Sequence, residues 1–96
     1  MIDRITKNEE RFDLSLNSIN NLNNALDNFI SNKNNINYLK KYYGSKNWFK
    51  DKEYYENNKI PKIKAGVLSE DGVWDMLDDI DELVNKMNSI INYYKK

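Results

Sequence analysis

From the N-terminus the apolar residues fall at Ile5, Phe12, Leu16, Ile19, Leu22, Leu26, Phe29, Ile30 and Ile36. Gaps of three, four and seven make one stripe of a helix. No proline or glycine occurs before Gly44, so the pattern predicts a long helix from about 3 to 42. Gly44 is the natural stop, since glycine accepts the left-handed backbone that ends many helices. Ser45 then predicts the cap of a short helix over about 46–57. Pro61 pushes Ile60 out of helical geometry, and 59–68 reads as an extended connector whose apolar residues lie across the body of the fold. Ser69 is the expected cap of the last helix, with Glu70 and Asp71 in its first turn, where the helix dipole favours acids. That helix is expected over about 70–94. Its apolar residues Val73, Leu77, Ile80, Val84, Met87, Ile91 and Tyr94 alternate spacings of four and three, as in a coiled-coil seam. The expectation is an all-α single domain spanning residues 1–96. Two long helices form an antiparallel hairpin, closed at one end by the short helix.

Ninety-six residues suffice for one domain. Cysteine and histidine are both absent, which removes disulfides, thiolate zinc sites and every mechanism that needs an imidazole base. The N-terminal residues contain no unbroken apolar run, so neither a signal peptide nor an anchor is expected. No segment has the apolar length of a membrane span. A cytoplasmic protein that is not an enzyme and uses no cofactor or metal is the resulting expectation.

Charge changes the picture more than composition does. The formal net charge is zero, yet residues 40–64 hold eight lysines against Asp51, Glu53 and Glu56. Residues 69–82 hold seven acids and no base. On a helix turning about 100° per residue, Asp71, Asp75, Asp78 and Glu82 lie roughly 140–200° from the Val73–Val84 direction. They form one stripe, with Asp79 and Asp81 flanking it. Like charges at such spacing destabilise a helix by about 0.2–0.5 kcal/mol per pair. Three readings stay open: a solvated face screened by salt, a face turned to the lysine-rich segment of this chain or of a second copy, and a docking surface for a basic partner. A Mg²⁺ reading is the contrast case. Asp75, Asp78, Asp79 and Glu82 have suitable spacing, and Glu10 with Asp13 would be a second set. Both groups point away from their apolar stripes, and no glycine-rich phosphate cradle accompanies them.

Seven aromatic residues cluster between Tyr38 and Tyr55, interleaved with lysines. Aromatics beside lysines suit single-stranded nucleic acid, but the neutral charge and the acidic helix argue against direct nucleic-acid binding. Trp48, Tyr54 and Tyr55 are instead expected to plug the open end of the hairpin. An exposed part of the cluster, Tyr43, Trp48 and Phe49, is a second candidate contact.

The stretch from Tyr42 to Leu77 carries Tyr42-Tyr43-Gly44-Ser45, then Trp48, Asp51 and Pro61, then Gly66 through Asp71. This pattern resembles a family of small bacterial helical proteins catalogued as domain of unknown function four-two-nine-eight. The resemblance implies a helical fold and a bacterial or phage origin, and supplies no activity and no catalytic residues. The shared positions also have a structural account: Gly44 turns the chain, Ser45 and Ser69 cap helices, and Trp48 packs on the Val67–Leu68 connector.

The expected role is therefore protein interaction. The contact residues are Asp71, Asp75, Asp78 and Glu82, with Tyr43, Trp48 and Phe49 second. The partner is an unidentified protein with a basic surface, or a second copy in a homodimer, and no membrane is involved. The alternative is a phage- or mobile-element-encoded inhibitor occupying a basic nucleic-acid-binding groove of a host enzyme. A helical Mg²⁺-dependent nucleotide hydrolase is third.

Overall fold

The computed structural model describes residues 1–95, and the all-α class holds, with no strand among them. The helices are α1 (Ile2–Ser31), α2 (Lys33–Tyr42), α3 (Lys46–Glu56) and α4 (Gly72–Tyr94), with a 3₁₀ turn at Gly66–Leu68 before α4. The chain divides into two compact units, Met1–Ile36 and Asn37–Lys96. Each is described by itself.

The first unit is α1 with the opening of α2. The helix expected over about 3–42 is interrupted at Asn32, a correction with a local cause. Ser31 Oγ donates to the Asn28 carbonyl at 2.8 Å. The Asn32 N–H is shared between the carbonyls of Asn28 and Phe29, both at 3.2 Å. A hydroxyl that bonds back to the preceding turn competes with the backbone ladder and loosens it. Asn32 Oδ1 then accepts from Asn35 Nδ2 at 2.8 Å, and the ladder restarts with Ile36 N–H on the Asn32 carbonyl. A single helix has nothing within its unit to pack against, so the apolar stripe of α1 gains no burial there.

The second unit is organised around Trp48. Gly44 has φ +76°, and the turn it makes is closed by the Ser45 N–H on the Tyr42 carbonyl at 3.0 Å. Ser45 Oγ accepts from Trp48 N–H at 3.2 Å, capping α3. α3 ends in a Schellman motif, with Lys59 N–H on the Tyr54 carbonyl and Asn58 N–H on the Tyr55 carbonyl. Asn58 supplies the left-handed residue at φ 59°. Asparagine tolerates that conformation better than most side chains.

The connector is fastened to α3 by side chains. Trp48 Nε1–H donates to the Val67 carbonyl at 2.8 Å. Lys52 Nζ donates to the Leu68 carbonyl at 3.0 Å, and Tyr55 O–H to the Ile63 carbonyl at 3.1 Å. The backbone groups of an irregular segment need such partners. The connector's apolar side chains are only partly covered: Ile60, Ala65 and Leu68 are half-buried, whereas Ile63 is exposed. Burial is concentrated in Trp48 and Val73, each 5% exposed.

The last helix begins at Gly72, later than expected, because the 3₁₀ turn holds Ser69 outside it. Ser69 still serves that end: its Oγ donates to the Gly66 carbonyl at 2.8 Å and accepts from Gly72 N–H at 3.0 Å. Of the acids, Asp75 is the one in the first turn. Gly72 is required by space, since a Cβ there would lie 2.6 Å from Ser69 Oγ and 2.9 Å from the Gly66 carbonyl oxygen.

Candidate interaction surface

α4 carries the acidic stripe on exposed positions throughout: Asp71, Asp75, Asp78 and Glu82 are all exposed, as are Asp79 and Asp81. Among the described residues the ion pair formed is Lys52–Glu56 at 3.0 Å, within α3, and it involves no acid of α4. Nor do three or more acids among the described residues converge as a metal site would require.

Four lysines of α3 and the connector are engaged with aromatic rings. Lys50 and Lys59 lie over the Tyr54 ring, at 5.7 and 5.6 Å from its centroid. Lys52 lies over Trp48, and Lys62 sits 4.1 Å from the Tyr55 centroid. Cation–π pairs of this kind contribute about 0.5–1 kcal/mol at exposed sites. Interleaved lysines and aromatics in this segment thus serve each other.

The three expected aromatic contacts separate. Trp48 is buried, with Tyr43 and Phe49 edge-on to it at centroid distances of 5.1 and 5.0 Å. Its ring is closed to a partner, and it holds the connector in place. Tyr43 is half-buried, and its hydroxyl donates to the Glu70 carbonyl at 2.8 Å, tying the Gly44 turn to the approach of α4. Phe49 is 60% exposed and is the member of the trio with a free face.

Two features escaped the sequence pattern. Tyr42 O–H donates to Asp51 Oδ2 at 2.7 Å, bridging α2 and α3. Its pKa is pushed up to about 12, by burial first and then by the hydrogen bond to Asp51 and that carboxylate's charge. The other feature is Trp74, 62% exposed on α4. It lines a shallow groove of about 120 Å³ with Leu77, Asp78 and Asp81. Trp74 lies about 90–100° from the Val73–Val84 direction. Its signal in the sequence was its place one turn before Asp78, where an aromatic face adjoins carboxylates. A second cleft, of about 210 Å³, is lined by Lys52, Tyr55, Glu56, Ala65, Leu68 and Ser69. Its lysine is already bonded to Glu56 and to the Leu68 carbonyl.

No helix among the described residues is long and apolar enough to cross a membrane. No curated protein and no solved structure matches the chain. Residues 5–95 match the family described as Domain of unknown function (DUF4298). That match spans both units, the Gly44 turn, the Trp48 cluster and α4, and the chain belongs to this family.

Proposed function

We propose that the protein is a non-enzymatic, cytoplasmic helical interaction module whose α4 is the contact element. The observation that supports this reading is the outward face of α4. Its carboxylates at 71, 75, 78 and 82 are exposed without an ion pair among the described residues. Flanking them, Trp74 on one side and Leu83 and Ile90 on the other remain exposed. A surface that combines large apolar side chains with one sign of charge suits a basic protein partner. An antiparallel pairing of α1 with α4 belongs to the same reading, since each carries an apolar stripe of the right period.

The test is affinity capture from host lysate, with nuclease present, using the wild type and an Asp75→Lys/Asp78→Lys variant. The reading expects a nuclease-resistant protein partner that the variant loses. A partner retained undiminished by the variant contradicts the assignment to α4. Capture of a nucleic-acid-binding enzyme whose activity falls on binding would select the inhibitor alternative.

A further inference from the structure

Resting on the reading of α4 as a contact element, we infer that its partner is a second copy of this chain. The groove at Trp74, Asp78 and Asp81 would receive the lysines that flank the Gly44 turn of that copy. Three observations lead there.

The chain carries two complementary patches in the same unit, and the structure leaves both unneutralised. One is the groove, an exposed indole with Asp78 and Asp81 beside it. The other is Lys40 and Lys41 at the end of α2 with Lys46 at the start of α3. All three are exposed, and among the described residues they form no ion pair and lie over no ring. Of the lysines nearer the connector, Lys50, Lys52, Lys59 and Lys62 are spent on Tyr54, Trp48 and Tyr55.

The chemistry of the groove fits an ammonium group. An indole face attracts a cation more strongly than phenol or benzene does, and two carboxylates beside it supply the charge. Among the described residues lysines already lie over aromatic rings four times, so the intermolecular contact would repeat a pairing the fold uses within itself.

Symmetry completes the argument. When one chain bears a patch and its complement, a two-fold axis makes both contacts at once, basic patch to acidic groove and acidic groove to basic patch. The Trp74 indole, 62% exposed in the groove, then supplies apolar area that charge alone does not. A zero net charge imposes no overall repulsion between copies.

The experiment is sedimentation velocity over a range of protein concentrations. It uses the wild type, an acid-reversed variant (Asp78→Lys/Asp81→Lys) and a base-reversed variant (Lys40→Glu/Lys41→Glu/Lys46→Glu), with circular dichroism to establish that each is folded. The wild type is expected to dimerise reversibly. Raising salt from about 0.1 M to about 1 M, which shortens the Debye length from about 10 Å to about 3 Å, should weaken the dimer. Each variant alone should dimerise at least about tenfold more weakly, because both contacts become like-charged. An equimolar mixture of the two should recover wild-type affinity as a heterodimer, since both contacts are then complementary again. Trp74→Phe should weaken the wild-type dimer and abolish a concentration-dependent blue shift of tryptophan emission.

A wild type that stays monomeric at every concentration overturns the inference. So does a dimer indifferent to both reversals, or a mixture that does not recover. The broader reading is tested separately. A monomeric wild type that still captures a host protein through Asp75 and Asp78 removes the self-pairing and leaves α4 as a contact element.

Discussion

Gly72 and Gly66 both belong to the segment that leads into α4, yet their demands differ. A Cβ on Gly72 would press on Ser69 Oγ and on the Gly66 carbonyl, and that carbonyl is backbone and cannot swing aside. A Cβ on Gly66 meets nothing within 4 Å. Gly72→Ala is therefore expected to cost about 1–3 kcal/mol, and Gly66→Ala to stay within about 0.5 kcal/mol of the wild type, both read by thermal or urea unfolding. Equal effects would contradict the packing described at Ser69. Tyr42 gives a second residue-scale outcome, in pH. Its hydroxyl ordinarily titrates at 10.0 and in the fold at about 12. Below pH 10 the proton is held in both states, and the Asp51 bond contributes fully. Between pH 10 and about 12 the unfolded chain releases the proton while the folded chain keeps it, so stability falls as pH rises. The stability difference between wild type and Tyr42→Phe should be flat below pH 10 and shrink towards pH 12. A difference that stays constant across that window would place the Tyr42 hydroxyl outside the Asp51 bond.

At the scale of the element, Trp48 joins α3 to a connector that has no regular hydrogen bonding of its own. Trp48→Phe keeps most of the apolar volume but strips the donor from the Val67 carbonyl. The expected cost is about 1–3 kcal/mol. The protected amides lost first should be those of the 3₁₀ turn and the start of α4, followed by hydrogen exchange. Loss spread evenly over α1 would show that the connector is held by something else. Much of this architecture could be read along the chain. Gly44 and Ser45 announced a stop and a cap, and the four–three spacing announced α4. The break at Asn32 was not legible, because asparagine lowers helix propensity by only tenths of a kcal/mol and the competing Ser31 hydroxyl is a matter of geometry. Ser69 followed by two acids looked like a helix start; the 3₁₀ turn before it moved the start to Gly72. Trp74 flanks the seam, so the four–three pattern does not single it out; its 62% exposure does. The stripe of acids was legible as a pattern. Its lack of intramolecular ion pairs among the described residues was not, since that depends on where Lys50, Lys52, Lys59 and Lys62 turn.

For the whole molecule, the two tryptophans report on two different things. Trp48 is buried and Trp74 exposed. At concentrations low enough to keep the chain monomeric, Trp74→Phe should leave blue, poorly quenched emission, and Trp48→Phe red emission that a polar quencher reaches freely. Similar quenching of the two would contradict the burial described for Trp48. The same division separates what the second unit does for itself from what it offers to others. The cluster around Trp48 is complete within the unit. The outward face of α4 is not, for among the described residues its carboxylates form no ion pair and Trp74 beside them stays 62% exposed.

Amide hydrogen exchange at low and high protein concentration tests that division most directly. The account predicts that protection along α4, from Trp74 to Ile91, rises with concentration while protection in α3 around Trp48 stays constant. Protection in α4 that does not depend on concentration, in a protein whose sedimentation is likewise constant, would contradict the claim that this face is completed by a second copy.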